Sequence, residues 1–242
     1  MTVALVGAGP GDIGLVTIRA LELVEDCDVL VYDRLAAPAL VARARHAMKI
    51  ARDPLTQQEV NDVLVEHGRR GSRVVRLKGG DPFLFGRGGE EAEALADAGV
   101  PYEIVPGVSA LSAAPGLAGI PLTHRGVSRQ ITVVTGSSGE GADLDYDQLA
   151  ATPGTLVIFM GLRRLAHIAD HLILAGRPAD EPVAVVSRAS MPDQAVVVAP
   201  LCGIAAAAVH LPSPSLVVVG AVVDLVREPD LRGHLDEAPA VD

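Results

Sequence analysis

The sequence is poor in aromatic residues and cysteine and has no long apolar segment, and each scarcity excludes a class of protein. It contains no Trp, and aromatic residues make up 2% of it, so its core must be aliphatic. The two cysteines, Cys27 and Cys202, form no C-x-x-C motif, which argues against a disulfide framework and favours a reducing cytoplasm. The longest apolar run, residues 195–209, is interrupted by Pro200 and Gly203 and is too short to span a bilayer. No targeting segment is visible at the N-terminus.

Basic residues are also in the minority. Lys and Arg number 20 against 30 Asp and Glu, which gives a formal net charge of -10. We therefore expect neither nucleic acid nor an anionic membrane as a partner, although a local basic cleft can still bind a small anionic substrate. Hydrophobic residues are plentiful, at 49% of 242 residues. A chain of this length forms one large domain or two small ones and buries about 70–75% of its unfolded surface.

Short Val-, Ile- and Leu-rich runs alternate with Ala-rich helical patterns, which predicts parallel βαβ units. In the first half of the chain, the expected strands are 3–6, 29–32, 74–77 and 102–105, and the expected helices are 17–24, 38–45, 56–70 and 90–98. The segment 47–53 shows no clear pattern.

The second half has its own series of strands and one long helix, at 162–175. Its expected strands are 131–134, 156–159, 183–186, 195–198 and 216–219. The last three are so close in sequence that we expect part of this sheet to be antiparallel. A Gly- and Pro-rich stretch at 115–125 is the best hinge candidate. The predicted fold is therefore α/β, with one α/β domain over 1–116 and a second over 117–242; the Pro- and Asp-rich tail after residue 228 is expected to fray.

The first glycine-rich turn, residues 7–12, lies between a strand and a helix. Glycines there allow a tight turn and a close approach of a ligand to the backbone. A dinucleotide site is one interpretation, because Asp33 ends the next strand where a ribose-binding acid would lie. Two residues oppose it: Asp12 replaces the third glycine and repels a pyrophosphate, and Pro10 has no N–H to donate. A plain tight turn is the other interpretation.

The second glycine-rich run, residues 76–91, contains five glycines and a fixed carboxylate, Asp81. Free backbone N–H and C=O groups beside a carboxylate suit a zwitterionic or cationic ligand better than a phosphate. Arg76, Lys78 and Arg87 add a positive cluster. The alternative is a glycine-rich surface loop.

Further along the chain, Ser109 follows a strand and is a plausible N-cap. Arg125 and Arg129 lie in or beside the turn-rich segment 118–126 and are candidate anion contacts. Met160 ends a strand, where it either packs on a ligand or fills the core. No G-x-S-x-G, Walker A, H-E-x-x-H or Cys/His cluster is present, so we expect neither a hydrolytic triad nor a metal site.

Together these motifs resemble those of the tetrapyrrole (corrin/porphyrin) methyltransferases, in the same order over residues 3–223. Within that family the match is closest to the enzymes that methylate uroporphyrinogen III. The matching segments are 6–12, 32–35, 76–91, 120–126 and 160–161. The resemblance implies two α/β domains with S-adenosylmethionine (SAM) in the cleft between them, usually in a homodimer. It implies methylation of uroporphyrinogen III at C2 and C7 to precorrin-2, for sirohaem or cobalamin, with S-adenosylhomocysteine as product and no metal.

The resemblance also implies roles for individual residues. Asp33 matches the proton acceptor of the family. In the family pattern the proton donor is a lysine in a segment that is several residues longer than 46–57 of this chain; Lys49 and Arg52 are nearest, and the donor stays unassigned. The SAM-contacting positions are Pro10, Gly79, Gly80, Asp81, Leu84, Ser109, Ala110, Met160 and, less directly matched, Ala189.

The implied substrate carries eight carboxylates, which bidentate arginine forks orient well. The candidates are Arg34, Arg76, Arg87, Arg125 and Arg129. With no chelatase or dehydrogenase domain before Met1, a stand-alone enzyme is expected. Three alternatives stay open: a methyltransferase of the same fold acting on a later corrinoid, an NAD(P)-dependent oxidoreductase, and a non-enzymatic tetrapyrrole or nucleotide carrier.

Overall fold

The computed structural model describes residues 3–137 and 143–226, which form a mixed α/β protein with two sheets, as predicted. The chain divides into two compact units, Met1–Ala110 and Leu111–Asp242. The helix Ala110–Leu117 contains both this division and the one predicted between residues 116 and 117, so the exact domain boundary stays a prediction. Pro115 lies inside that helix, so the first residues of the expected hinge are helical.

The first unit contains a five-stranded parallel sheet in the order β3-β2-β4-β1-β5. Its strands are β1 (Val3–Gly7), β2 (Val29–Tyr32), β3 (Met48–Ala51), β4 (Val74–Lys78) and β5 (Tyr102–Val105). Every residue of the inner strands β1 and β4 is buried, and all of their side chains except those of Arg76 and Lys78 are apolar. The segment 47–53, in which the sequence shows no clear pattern, contains β3, and the pattern is weak because this edge strand is mostly exposed.

Four helices cover the first sheet, two on each face. They are α1 (Ile18–Asp26), α2 (Pro38–Arg43), α3 (Gln57–Arg69) and α4 (Gly88–Asp97). Apolar residues of α1 and α2 pack with Val75 and Leu77 of β4, whereas those of α3 and α4 pack with Val74 on the opposite face. A capping box between Thr56 and Glu59 fixes the start of α3. All five strands run in one direction, so the loops that follow them lie along one edge of this sheet.

The second unit has a mixed sheet in the order β6-β7-β10-β8-β9. Its strands are β6 (Ile131–Thr135), β7 (Thr155–Phe159), β8 (Pro182–Ser187), β9 (Ala195–Pro200) and β10 (Ser215–Val219). Its helices are α5 (Ala110–Leu117), α6 (Tyr146–Ala151), α7 (Leu165–Leu174) and α8 (Ile204–Ala207). Helix α5 begins at the last residue of the first unit. β6 and β7 are parallel, and the pairs that involve β8, β9 and β10 are antiparallel, which confirms the prediction. The helix expected at 162–175 begins as a 3-10 turn, Leu162–Arg164. The tail expected to fray lies outside the described residues.

Neither cysteine of the chain forms a disulfide. Cys27 is buried, and its thiol donates a hydrogen bond to the Val24 carbonyl. Burial raises the pKa of Cys27 to about 11, so this thiol stays protonated and unreactive at neutral pH. Cys202 is exposed. None of the helices within the described ranges is long and apolar enough to cross a membrane.

Candidate active site

Three loops at the carboxyl edge of the first sheet are joined through their backbones. The loop after β1 and the loop after β4 exchange two hydrogen bonds, from Gly9 N to Gly80 O (3.2 Å) and from Gly80 N to Gly9 O (2.8 Å). Ala8 N donates to Lys78 O (2.7 Å). Gly80 has a φ of +66°, a conformation that favours glycine. The glycines of both motifs therefore hold two loops together.

The loop after β5 joins the same cluster by very close approach. A Cβ atom on Gly107 would lie 2.3 Å from the Gly80 carbonyl oxygen and 2.7 Å from the Gly7 Cα, too close for any side chain. One turn from each of three strands thus meets at a single point. Seven of the predicted SAM-contacting residues lie in these loops or at the start of α5: Pro10, Gly79, Gly80, Asp81, Leu84, Ser109 and Ala110.

Asp81 is tied to the protein itself. Its Oδ1 accepts a hydrogen bond from Phe83 N (2.8 Å), and its Oδ2 accepts one from Gly107 N (3.1 Å). Asp81 therefore has backbone partners in two different loops. Its carboxylate clamps the loop after β4 to the loop after β5, so any effect on a ligand acts at least partly through loop shape.

We expect Asp81→Ala to weaken SAM binding and also to destabilise the first unit, because both backbone N–H groups lose a charged acceptor. A charge-assisted hydrogen bond contributes about 1.5–3 kcal/mol, so the Kd should rise roughly 10–150-fold. Asp81→Asn keeps one carbonyl acceptor and should give an intermediate loss. Titration calorimetry with SAM and thermal unfolding check both effects. A Kd unchanged in the alanine variant would show that the clamp does not shape the binding loop.

Non-glycine residues with positive φ cluster at the two loop edges. In the described part of the chain they are Phe85, Arg87, Met160, Arg188 and Ser190. Such conformations cost about 1–3 kcal/mol each and persist mainly at functional sites. The first two lie in the loop after β4, and the other three follow β7 or β8. Both of these strands flank β10 and are antiparallel to it, so their carboxyl ends lie at one edge of the second sheet. The predicted SAM contacts Met160 and Ala189 are both at that edge.

Asp33 directly follows β2, and its carboxylate is paired with an arginine of the neighbouring strand. Arg76 Nη2 donates to Asp33 Oδ1 at 2.6 Å. The Asp33 side chain is 26% exposed and that of Arg76 only 2% exposed. Arg76 is thus buried behind Asp33 rather than presented at the surface. Its contacts favour a role in holding Asp33 over the predicted contact with substrate carboxylates.

A second carboxylate, Glu91, completes a buried ionic network that the sequence motifs did not single out. Glu91 Oε1 accepts hydrogen bonds from Arg76 Nε (3.0 Å) and Lys78 Nζ (2.8 Å), and Oε2 accepts a second one from Lys78 Nζ (2.8 Å). Burial and the Arg76 charge lower the pKa of Lys78, and Glu91 opposes that shift. A signal was available: two cations spaced two apart in a central buried strand require carboxylate partners on the covering helix.

The remaining candidate arginines are at the surface. Arg87 forms an exposed ion pair with Glu90 (2.7 Å), and the hydrogen bonds to Glu90 raise the pKa of Arg87 further. Arg34 follows Asp33 in the first unit, whereas Arg125 and Arg129 belong to the second, and all three are exposed. Lys49 lies in the edge strand β3 and Arg52 just after it, so neither gains support as the proton donor.

These features define a two-unit α/β protein in which glycine-rich loops meet at the carboxyl edge of the first sheet. The chain belongs to the family Tetrapyrrole (Corrin/Porphyrin) Methylases, whose model matches residues 2–205. This confirms the resemblance, the fold and the class of enzyme, a methyltransferase.

Curated relatives and solved structures agree with that assignment. Siroheme synthase of Sodalis glossinidius is 46% identical over 93% of this chain and 50% of its own length. Siroheme synthase 1 of Yersinia enterocolitica is 46% identical over 92% of this chain and 49% of its own length. The chain spans about half the length of these relatives. A uroporphyrin-III C-methyl transferase from Thermus thermophilus, solved with S-adenyl homocysteine, is 41% identical over 93% of this chain and 100% of its own (TM-score 0.83). A cobalt precorrin-4 methyltransferase of known structure is 27% identical over 92% of this chain and 96% of its own (TM-score 0.86).

Proposed function

We propose that this chain transfers methyl groups from SAM to uroporphyrinogen III, at C2 and C7, giving precorrin-2 for sirohaem or cobalamin synthesis. The observation that carries the proposal is Asp33, a partly exposed carboxylate fixed at the edge where the two glycine-rich loops and the loop after β5 meet. The 41% identity to a uroporphyrin-III C-methyl transferase, over that protein's whole length, supports the substrate. The lower identity of 27% to a cobalt precorrin-4 methyltransferase makes a later corrinoid the less favoured substrate.

The hydrogen bonds of the first glycine-rich turn argue against the dinucleotide alternative. Gly9 N–H, which a pyrophosphate would need, already donates to the Gly80 carbonyl. Asp12 holds its carboxylate at the same turn, where Oδ1 accepts from Gly14 N (2.8 Å). A phosphate would meet a carboxylate and find one of the backbone donors already in use.

The loops fit a SAM-sized, positively charged ligand better. Gly79 and Gly80 are half-buried and leave backbone atoms accessible beside the Asp81 carboxylate. When bound, SAM supplies a methyl group already activated by the sulfonium, so the protein mainly has to align the reacting atoms. We carry over Pro10, Gly79, Gly80, Asp81, Leu84, Ser109, Ala110, Met160 and Ala189 as SAM-contacting positions.

The protein's chemical contribution is then the removal of a proton. The pyrrole carbon forms a bond to the methyl group, the methyl–sulfur bond breaks, and S-adenosylhomocysteine leaves. The methylated macrocycle carries one positive charge and loses a carbon-bound proton, whose C–H electron pair returns to the ring. Asp33 is the group that accepts this proton. Its Oδ1 is held by Arg76, and Oδ2 accepts no hydrogen bond from the described residues, so Oδ2 is the available base.

Exposed arginines capture the anionic substrate in this proposal. We expect Arg87→Ala or Arg125→Ala to raise the KM for uroporphyrinogen III about 10-fold while changing the KM for SAM less than twofold, since each removes one charged contact of the kind that contributes about 1.5 kcal/mol. Arg70→Ala, at an exposed helix end, serves as the control and should change neither constant. If the KM for SAM rose instead, these arginines would belong to the SAM site.

The assembly and the compartment follow from the same assignment. We infer a homodimer in a reducing cytoplasm. The free, unpaired thiols of Cys27 and Cys202 support the compartment. Light scattering on the purified chain tests the assembly, and a monomeric mass at assay concentration would contradict it.

The decisive experiment is an anaerobic assay of the purified chain with uroporphyrinogen III and ¹³C-methyl SAM. We expect a product with two labelled methyl groups, and NMR should place them at C2 and C7. Calorimetry with SAM and NADPH in parallel separates the enzyme classes. Methylation of a later corrinoid but not of uroporphyrinogen III would overturn the substrate, and binding of NADPH but not SAM would overturn the class.

A further inference from the structure

Four charged side chains form a chain from the interior of the first unit to its carboxyl edge. Lys78 and Glu91 are 1% and 0% exposed, Arg76 is 2% exposed, and Asp33, at the end, is 26% exposed. Gln57 Nε2 also donates to Glu91 Oε1, at 3.3 Å. Two cations and two carboxylates balance, which makes the burial of three of them tolerable. The arrangement connects the reactive carboxylate to a helix on one face of the sheet.

We propose that Glu91 is a positioning residue for the methyl-transfer chemistry: it holds Arg76, and Arg76 fixes the Asp33 carboxylate so that Oδ2 receives the proton. The inference rests on the proposed role of Asp33 as the base. Glu91 itself touches neither substrate nor SAM in this scheme.

The geometry of Arg76 carries the proposal. Its guanidinium donates on three sides, from Nε to Glu91, from Nη1 to the Leu77 carbonyl (3.1 Å) and from Nη2 to Asp33. A planar group with three such anchors can neither rotate nor slide. An aspartate carboxylate otherwise turns easily about its last torsion, and a charge-assisted bond of 2.6 Å to a fixed donor removes that freedom.

Glu91 also keeps the two buried cations together. Arg76 and Lys78 lie on the same face of β4, and without a carboxylate between them they repel each other. Loss of the Glu91 charge leaves Arg76 without its Nε partner and next to an uncompensated ammonium. We therefore expect Arg76 to shift, and the Asp33 carboxylate to shift with it.

The same two strands provide a matched control at their opposite ends. Arg73 precedes β4 and Asp28 precedes β2, and they form a two-bond pair from Arg73 Nη2 to Asp28 Oδ1 (2.7 Å) and from Nε to Oδ2 (3.2 Å). This pair lies at the amino edge of the sheet, away from the glycine-rich loops. Arg73→Lys removes an arginine–carboxylate interaction between the segments that precede these two strands, without touching the proposed site.

A double-mutant cycle tests the proposal. Single-turnover methylation at saturating SAM and uroporphyrinogen III is measured for wild type, Glu91→Gln, Asp33→Asn and the double variant. We expect Glu91→Gln to slow the wild-type rate about 10–100-fold and to leave the Asp33→Asn rate unchanged within twofold, because its effect passes through Asp33. SAM affinity should stay within threefold, and Arg73→Lys should keep the wild-type rate.

Each outcome decides the matter. If Glu91→Gln slows both backgrounds by the same factor, Glu91 only supports the fold and the proposal is overturned. A wild-type rate in Glu91→Gln, or in Asp33→Asn, overturns it as well. Should Glu91→Gln fail to fold, Arg76→Lys replaces it in the cycle, since lysine keeps the charge but cannot bridge both carboxylates. A wild-type chain that does not methylate uroporphyrinogen III refutes the proposed function, whereas the cycle on a methylating chain tests Glu91 alone.

Discussion

Replacement of Asp33 by Asn is expected to reduce the rate of methyl transfer about 10²–10⁴-fold while the protein folds and binds SAM normally. The amide keeps an acceptor oxygen for Arg76 Nη2, so the local structure has little reason to change. It has lost the basic oxygen, and a positioned base contributes about this factor to a rate. Single-turnover kinetics with labelled SAM measure the loss, and calorimetry should find the Kd for SAM within threefold of wild type.

Asp28→Asn is the control for this experiment. Asp28 is paired with Arg73, and the hydrogen bonds from Arg73 hold its pKa at about 2, so the control also removes a carboxylate charge from an arginine partner. It lies at the amino edge of the sheet and should leave the rate unchanged. Near-normal turnover by Asp33→Asn would reduce Asp33 to a structural partner of Arg76 and leave the base unassigned.

The largest effect on stability is expected from Gly107→Ala. The new Cβ would lie 2.3 Å from the Gly80 carbonyl oxygen, and backbone atoms cannot move aside as a flexible side chain can. Overpacking of this kind costs about 3 kcal/mol, and here it should also push apart the loops that carry the proposed SAM contacts. We expect a melting temperature lower by roughly 6–12 °C and a loss of measurable SAM binding.

Gly116→Ala separates crowding from the mere addition of a methyl group. Gly116 lies in α5, and a Cβ there meets no atom within 4 Å. An alanine in a helix is favoured over glycine by about 0.5–1 kcal/mol, so this variant should melt slightly higher than wild type. Equal melting temperatures for Gly107→Ala and wild type would show that the loops relax without cost.

The fold was largely predictable because its inner strands are buried on both faces. Residues 3–6 are an uninterrupted aliphatic run, residues 74–77 are aliphatic except for Arg76, and burial on both sides of a parallel sheet favours such runs. The edge strand β3 escaped prediction for the opposite reason. Three of its four residues are exposed, so they need not be apolar and give no strand-like hydrophobic pattern.

The loops of the candidate site could be predicted from the sequence, but most of the contacts between their side chains and backbones could not. The glycine-rich motifs located the loops, but the partner of Asp81 is Gly107, 26 residues away, and only the tertiary structure brings them together. Glu91 is one residue in a helix rich in Glu and Ala, and its position over β4 is set by packing. The positive φ of Met160 has no counterpart in local sequence either, because strain of this kind is imposed by the surroundings.

The contrast between buried and exposed arginines has a consequence for how the enzyme responds to ionic strength. Exposed charges lose most of their longer-range attraction as the Debye length falls from about 10 Å at 0.1 M salt to about 3 Å at 1 M. Arg87 and Arg125 are open to this screening, whereas Arg76 and Glu91 are buried away from it and Asp33 is only partly exposed. Under the proposed function, we therefore expect salt to weaken the capture of the anionic substrate more than the proton transfer at Asp33. If these roles hold, a change in salt should mainly alter the substrate concentration needed for half-maximal turnover and should alter the maximum turnover less.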